Sequence, residues 1–361
     1  MIDRSNINQA TVGFVGFDRF DPSPHVLKNI VLNKAGLKES SDPQIVVCAE
    51  DSDSIRVMLD EFPASTVRIL FNCEMGAVDF NLFDYVIGWE NLQLSPRYAR
   101  MHPVLRITGT PFLVPALQSV ESVPFSSRGF CSFVYSNSRA HPMRDTFFKH
   151  LNEKKKVSSW GSHLNNSGTL SIPGSSGGYE DEKLHIESNY KFSIAFENGV
   201  YGGYTTEKLF SSVAAGAIPI YWGNPEIGLD VNLKRIISVH EFNDLDVCID
   251  EVLKLENAPE RLAEILSQPL MTREQENLVK KSEDDLVRLF RHASKTAMEG
   301  RVMRPTGTTR TTVEITLLPM LKREKRIARR KYLVSRFLQV IGALEPVIKI
   351  MAKVRELARK A

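Results

Sequence analysis

Long apolar runs are missing from this 361-residue chain, and cysteine is scarce. With no run of about twenty apolar residues, the pattern of a membrane-spanning helix is absent. The first residues, MIDRSNINQATVGFVGF, lack the basic start and apolar core of a secretory leader. The four cysteines, Cys48, Cys73, Cys131 and Cys248, include no CxxC pair, so neither a disulfide framework nor a thiolate zinc site is expected, and a reducing cytoplasm is the expected compartment. The eight histidines are dispersed, none at ligand spacing from another. Charge of one sign is nearly lacking too, at a net +3, but that balance hides an asymmetry. Residues 321–361 hold thirteen Lys and Arg against three Glu, which leaves the other 320 residues at −7. A mildly acidic body argues against nucleic acid as a partner.

What is present is an ordinary globular composition, 42% hydrophobic and 25% charged, long enough for two domains. Strand-like runs at 10–17 (ATVGFVGF), 44–50 (QIVVCAE), 67–74 (VRILFNCE) and 83–90 (FDYVIGWE) alternate with helical spacing, as in HVLKNIVLNKAGL ending near Gly36. Pro and Ser cluster at 111–128, a linker signal. The rhythm then restarts with GFCSFVYS (129–136), a helix over 144–154, and a Gly/Ser-rich loop at 161–182. The strands KFSIAFEN, AIPIYW and RIISVHEF follow, with helices near 244–256, 259–267 and 274–297. Two α/β halves in tandem, with a cleft between them, are the expected architecture.

One stretch carries the chemistry: FENGVYGGYTTEKLFSSVAAGAIPIYWG (196–223). A strand, a polar glycine loop and a helix start present free backbone N–H groups to an anion. Glycines 199, 202 and 203 allow positive φ and let a ligand approach the backbone closely. Lys208 stands in the first turn, where the helix dipole favours acids, and a bound phosphate would account for it. Glu207 suits the dipole and the hydroxyls of a sugar. Read without a ligand, the same pattern is a capping loop with a solvated Glu and Lys.

This stretch resembles the signature of the α-1,3/1,4-fucosyltransferases, glycosyltransferase family 10: Phe-Glu-Asn, a Gly/Tyr run, Tyr-x-Thr-Glu-Lys, and a small-residue helix ending in Ile-Pro-Ile-Tyr-Trp-Gly. DFNLFDYVIGWE (79–90), FCSFVYSN (130–137), PMRDTFFKHLN (142–152), LNNSG (164–168) and VHEFNDLD (239–246) are similar to the bacterial members, in the same order. The resemblance implies a GT-B fold: α/β, with two Rossmann-like domains facing across a cleft. Residues 1–125 would bind the acceptor and 126–300 the nucleotide sugar, with 301–361 as a basic helical tail. It also implies transfer of L-fucose from GDP-β-L-fucose, with inversion, to a hydroxyl of a GlcNAc-containing glycan, α-1,3 linkage foremost. By the same resemblance Arg144, Asn198, Tyr204, Glu207 and Lys208 are donor-binding, Arg144 and Lys208 at the pyrophosphate.

Inversion in one displacement needs a base for the acceptor hydroxyl. Glu74 is expected to be that base, as an acid at the carboxyl edge of the strand 67–74, where open α/β sheets place ligands. The Cys73-Glu74-Met75 setting departs from the family's usual Gly-Glu-Asn. Glu90 and Glu197 are rival bases, Glu197 serving equally as loop support. The Asp-x-Asp runs at 51–53 and 244–246 read as turn and helix-cap chemistry. No metal or cofactor is expected to be required, a divalent cation being at most stimulatory. Two other readings compete: a GT-B transferase using another nucleotide sugar, and a non-catalytic glycan- or nucleotide-binding protein of the same fold.

In the tail, Leu333, Phe337, Val340, Leu344, Val347, Met351 and Val354 form an apolar stripe on a basic helical pattern interrupted by Pro346. Such a pattern suits the anionic inner face of a membrane; a homodimer seam or a helix packed on the body is the alternative.

Overall fold

The computed structural model describes residues 10–17, 25–49, 59, 61–76, 78–92, 94, 96–107, 124–168 and 179–305. The run at 51–53, most of the linker and the basic tail from 306 onward lie outside the described residues. The fold below is that of the unit Met1–Met303.

The first half builds β1 (Thr11–Val15), α1 (His25–Asn29, continued by a π-turn over Ile30–Lys34), β2 (Lys38–Glu39), β3 (Ile45–Ala49), β4 (Val67–Phe71), β5 (Tyr85–Gly88), β6 (Tyr98–Arg100) and α2 (Pro103–Ile107). Its six strands run parallel in the order β2-β1-β3-β4-β5-β6. The IVVCA run of β3 is buried throughout, as expected of a parallel strand covered on both faces. The second half comprises β7 (Gly129–Val134), α3 (Pro142–Lys154), β8 (Ser158–Trp160), α4 (Tyr179–Glu187), β9 (Tyr190–Phe196), α5 (Glu207–Ala214), β10 (Ile218–Trp222), β11 (Ile237–Ser238), α6 (Leu245–Glu256) and α7 (Pro259–Ser267). Its five strands are again parallel, ordered β11-β10-β9-β7-β8.

Strand order reverses between β7 and β9: β8 lies on one side of β7, and β9, β10 and β11 lie on the other. The crevice at such a switch point, beyond the carboxyl ends of the strands, is where open α/β sheets bind ligands. The loops after β7 and β9 therefore frame the position that the glycine-rich stretch occupies.

The last helix, α8 (Arg273–Met298), starts with a capping box between Thr272 and Gln275. It falls within the stretch grouped by sequence with the second half, yet it packs on the first sheet. Leu286, Leu289, Phe290, Ala293 and Ala297 present one helical face to the core formed by Val12, Ile45, Val67 and Tyr85. The Tyr85 hydroxyl is satisfied there by His292 Nδ1 at 2.7 Å and Thr296 Oγ1 at 2.8 Å. The second core gathers Phe133, Phe147, Phe192, Phe196 and Ile249 between sheet and helices.

Several local expectations change. RIISVHEF keeps only two strand residues, because the chain tightens into a 3₁₀ turn at Val239–Glu241. The loop expected over 161–182 ends earlier, where α4 begins. Glu74 does not end its strand: β4 stops at Phe71, and the acid lies three residues on, in a bend. Asp244 caps α6 by accepting the Asp246 N–H at 2.6 Å. Among the described residues, no helix is long and apolar enough to cross a membrane.

Candidate active site

The loop from β9 to α5 is organised around Glu197. Its carboxylate is fully buried and accepts the Thr206 backbone N–H and the Thr206 hydroxyl, each at 2.7 Å. Lys208 Nζ lies 3.4 Å from the same carboxylate, 2.9 Å from Thr206 Oγ1 and 3.1 Å from Glu207 Oε1. Burial opposes the charge on Lys208, but Glu207 and Glu197 outweigh it and hold its pKa well above the usual lysine range. Glu207 is held at about 2: its partial burial pushes upward, and Lys208 and Lys183 prevail. Burial pushes Glu197 upward against the pull of Lys208. Lys208 thus stands between two carboxylates that repel each other, Glu197 after β9 and Glu207 at the start of α5, and its side chain is 14% exposed.

Arg144, at the start of α3, is 1% exposed, stacks over the Tyr135 ring at 4.3 Å and donates to the Asn137 carbonyl. The loop after β7 is stitched to the one after β9: the His141 N–H donates to the Asn198 carbonyl at 2.8 Å, and the Asn137 amide approaches Asn198 Oδ1 at 3.4 Å. Tyr135 lies beneath both loops, its hydroxyl bonded along β9 to the Ile194 and Phe196 carbonyls and the Phe196 N–H. Burial raises its pKa, and the fields of Arg144, Lys183 and Lys208 pull the other way. The fields of three cations therefore reach one tyrosine at the switch point, Arg144 in direct contact with its ring. Lys183, buried on α4, is the member that sequence reasoning missed. It stands in the mixed run YEDEKLHIE, where nothing local separates a buried lysine from a solvated one.

The same loop meets the first half. Tyr204 is buried, packs edge-on against Trp89 at 4.9 Å and donates its hydroxyl to Glu74 Oε2 at 3.3 Å. Burial, with Glu197 and Glu74 adding to it, raises the Tyr204 pKa, so the hydroxyl keeps its proton and acts as the donor. Gly203 has φ +76°, and a Cβ there would lie 2.0 Å from the Trp89 carbonyl oxygen. Glycine is required at this position both for its conformation and for the room. Arg106 holds the ends of β4, β5 and β6 together beneath these contacts. It stacks on Trp89 at 3.8 Å and on Phe71 at 4.6 Å, and donates to the carbonyls of Asn72 and Gly88 at 2.9 Å.

Of the residues singled out from sequence, Glu197, Glu207 and Lys208 form one cluster, and Glu74 meets Tyr204 across the crevice. Asn198 lies in the same loop as Glu197 and is bonded to the segment after β7, where Arg144 stands at the start of α3. Glu90 stands apart as a hub: its carboxylate accepts the hydroxyls of Tyr201 and Tyr98 and the N–H of Trp89. Among the described residues, no three His, Cys, Asp or Glu side chains gather as a metal site would.

Two parallel Rossmann-like sheets, joined across a crevice by a glycine loop, make up the GT-B fold. Residues 126–267 match the family described as glycosyltransferase family 10 (fucosyltransferase), C-terminal part. An alpha-(1,3)-fucosyltransferase of Helicobacter pylori is 34% identical over 218 residues, covering 51% of this chain and 43% of the relative. A GDP-fucose protein O-fucosyltransferase 3 of Homo sapiens is 33% identical over 172 residues, 45% of this chain and 34% of the relative. The chain spans less than half the length of the curated relatives it matches. A crystal structure of an alpha1,3-fucosyltransferase superposes with a TM-score of 0.64 at 25% identity, covering 85% of this chain and 95% of the other. A second, with GDP, superposes equally well at 24% identity.

Proposed function

We propose that the chain transfers L-fucose from GDP-β-L-fucose to a hydroxyl of a GlcNAc-containing glycan, with inversion and α-1,3 linkage. The observation that carries this reading is the Glu74–Tyr204 contact at 3.3 Å. It sets a carboxylate of the acceptor-side half against the loop that opens onto the cationic start of α5. The likeness to alpha1,3-fucosyltransferases, including structures with GDP and GDP-fucose, supports the donor.

In the proposed reaction Glu74 takes the proton of the acceptor hydroxyl as its oxygen bonds to the anomeric carbon of fucose. The bond from that carbon to the diphosphate breaks, and its electron pair leaves with GDP. Lys208, Arg144 and the N-terminal dipole of α5 receive the developing negative charge, so no protein-bound metal is required. Asn198, Tyr204 and Glu207 hold nucleotide and sugar, and Glu197 supports the loop. The basic tail would hold the enzyme against the anionic inner face of a membrane.

Labelled GDP-fucose offered with N-acetyllactosamine-type acceptors tests the reaction, and Glu74→Gln tests the base. Transfer is expected to fall by about 10²–10⁴ with GDP affinity unchanged. Retained turnover in Glu74→Gln would remove the base assignment. A wild-type protein that releases no labelled product from any such acceptor would remove the function.

A further inference from the structure

The loop after β9 is fastened at its far end within its own half, by Glu197, and at its middle to the other half. The middle fastening centres on Tyr201. Its hydroxyl lies 3.0 Å from the Gly76 carbonyl oxygen and also reaches Glu90 Oε1. Burial raises the Tyr201 pKa, and Glu90 raises it further, so the hydroxyl is the proton donor. The charged carboxylate is the stronger of its two acceptors. Glu90 is itself held fast, its second oxygen taking the Tyr98 hydroxyl at 2.9 Å and the Trp89 N–H at 3.2 Å. A third contact runs alongside, for a Cβ on Gly199 would lie 3.2 Å from Met75 Cε.

One hydroxyl therefore ties the glycine loop to both loops that matter on the other side. Gly76 belongs to the bend that carries Glu74, and Glu90 follows Trp89, on which Tyr204 and Gly203 rest. Building on the fucosyl-transfer reading, we propose that Tyr201 is a positioning residue: its hydroxyl sets the donor-side loop in register with the bend bearing Glu74. The hydrogen bonds of the Tyr201 hydroxyl go to Gly76 and Glu90, not to Arg144, Lys208 or Glu74. Losing the hydroxyl should disturb the spacing between base and donor while leaving the cation cluster whole, and rate is far more sensitive to such spacing than affinity is.

The test is a cycle of Tyr201→Phe, Glu90→Gln and the double variant, read as kcat, KM for GDP-fucose and calorimetric GDP affinity. Tyr201→Phe is expected to lower kcat about tenfold, with KM and GDP affinity within about twofold of wild type. Glu90→Gln, which weakens only the stronger of the two bonds, should lower kcat by less, and the double variant no further than Tyr201→Phe, since loss of the hydroxyl already removes that bond. Unchanged kcat in Tyr201→Phe overturns the proposal, and so do independent, additive losses. A tenfold loss of GDP affinity overturns it as well, making Tyr201 a donor ligand. An inert wild type would defeat the transfer reading and this proposal together, whereas an active wild type with an indifferent Tyr201→Phe defeats this proposal alone.

Discussion

Asp230 joins the two halves, and replacing it by Asn should show how much that junction contributes. The side chain is fully buried in the turn after β10 and accepts both ends of the Arg100 guanidinium, at 2.8 and 2.7 Å. His102 Nε2 lies 3.2 Å away. Asn keeps the shape, removes the charge and turns one acceptor into a donor facing a guanidinium N–H. Breaking a buried pair from one side costs about 3–5 kcal/mol. Arg100 is 17% exposed, so water offsets part of this, and about 3 kcal/mol is the expected loss. At roughly 2–4 °C per kcal/mol, Tm should drop by about 6–12 °C. His102 adds an acid-sensitive component. Burial draws its pKa down to about 4 against the opposing field of Asp230, and Nδ1 accepts the Val104 N–H at 3.2 Å. The unfolded chain takes up this proton near pH 6.5, the folded chain only near pH 4. Stability from the neutral ring is thus complete above the first value and lost as pH falls through the window, on the order of 3 kcal/mol in all. In Asp230→Asn the field favouring the imidazolium is gone, the folded pKa falls further, and acid sensitivity should increase. Thermal unfolding followed by circular dichroism at pH 7.5 and 3.5 measures both effects, since the two proteins diverge in acid sensitivity only where the folded wild-type ring takes up its proton, near pH 4 and below. A variant that melts within about 2 °C of wild type at pH 7.5 would refute the reasoning.

Two further predictions concern the ends of the chemistry. Arg144→Ala and Lys208→Ala should each weaken GDP binding by more than about 1.5 kcal/mol, roughly tenfold, as charged hydrogen bonds are lost. Calorimetry that returned wild-type affinity for both would dissolve the cation site. Removing residues 320–361 should leave turnover of a soluble acceptor intact and abolish co-sedimentation with anionic lipid vesicles. Truncated protein that still sediments with them would end the membrane reading.

The parts legible in the sequence are those whose signal is contiguous. β3 and β10 read as strands because parallel strands covered on both faces leave unbroken apolar runs, IVVCA and IPIYW. The cluster at the start of α5 is legible for the same reason, since Glu197, Thr206, Glu207 and Lys208 fall within twelve residues and their contacts close on themselves. β6 escaped notice because three residues, YAR, give no period to count, and its last member faces a partner 130 positions away. RIISVHEF misled because its apolar start continues into a turn that brings His240 over Trp222, with ring centroids 6.2 Å apart. Lys183 carries no local mark at all, a lysine among acids, and Glu90, singled out as a rival base, carries no mark of its role as a hub. Each acquires its role from a residue in a distant segment, through a field on Glu207 in the first case and a hydroxyl of Tyr201 in the second.

The same division bears on how the two halves cooperate. Arg100 donates through Nε to the Trp89 carbonyl at 2.7 Å, and against that carbonyl rests Gly203. Asp230, Arg100, Trp89 and Gly203 therefore form one continuous path from the second half through the first and back to the glycine loop. Tyr204 and Tyr201 add two more crossings, to Glu74 and to Glu90. A loop fixed only by its own half could bind a diphosphate, because the cations and the dipole of α5 all belong to that half. On the proposed reaction it could not by itself hold the fucosyl carbon at a set distance from Glu74, which belongs to the other. The crossings supply that constraint, so substitutions along them should act on rate more than on GDP affinity, and substitutions in the cation cluster on both.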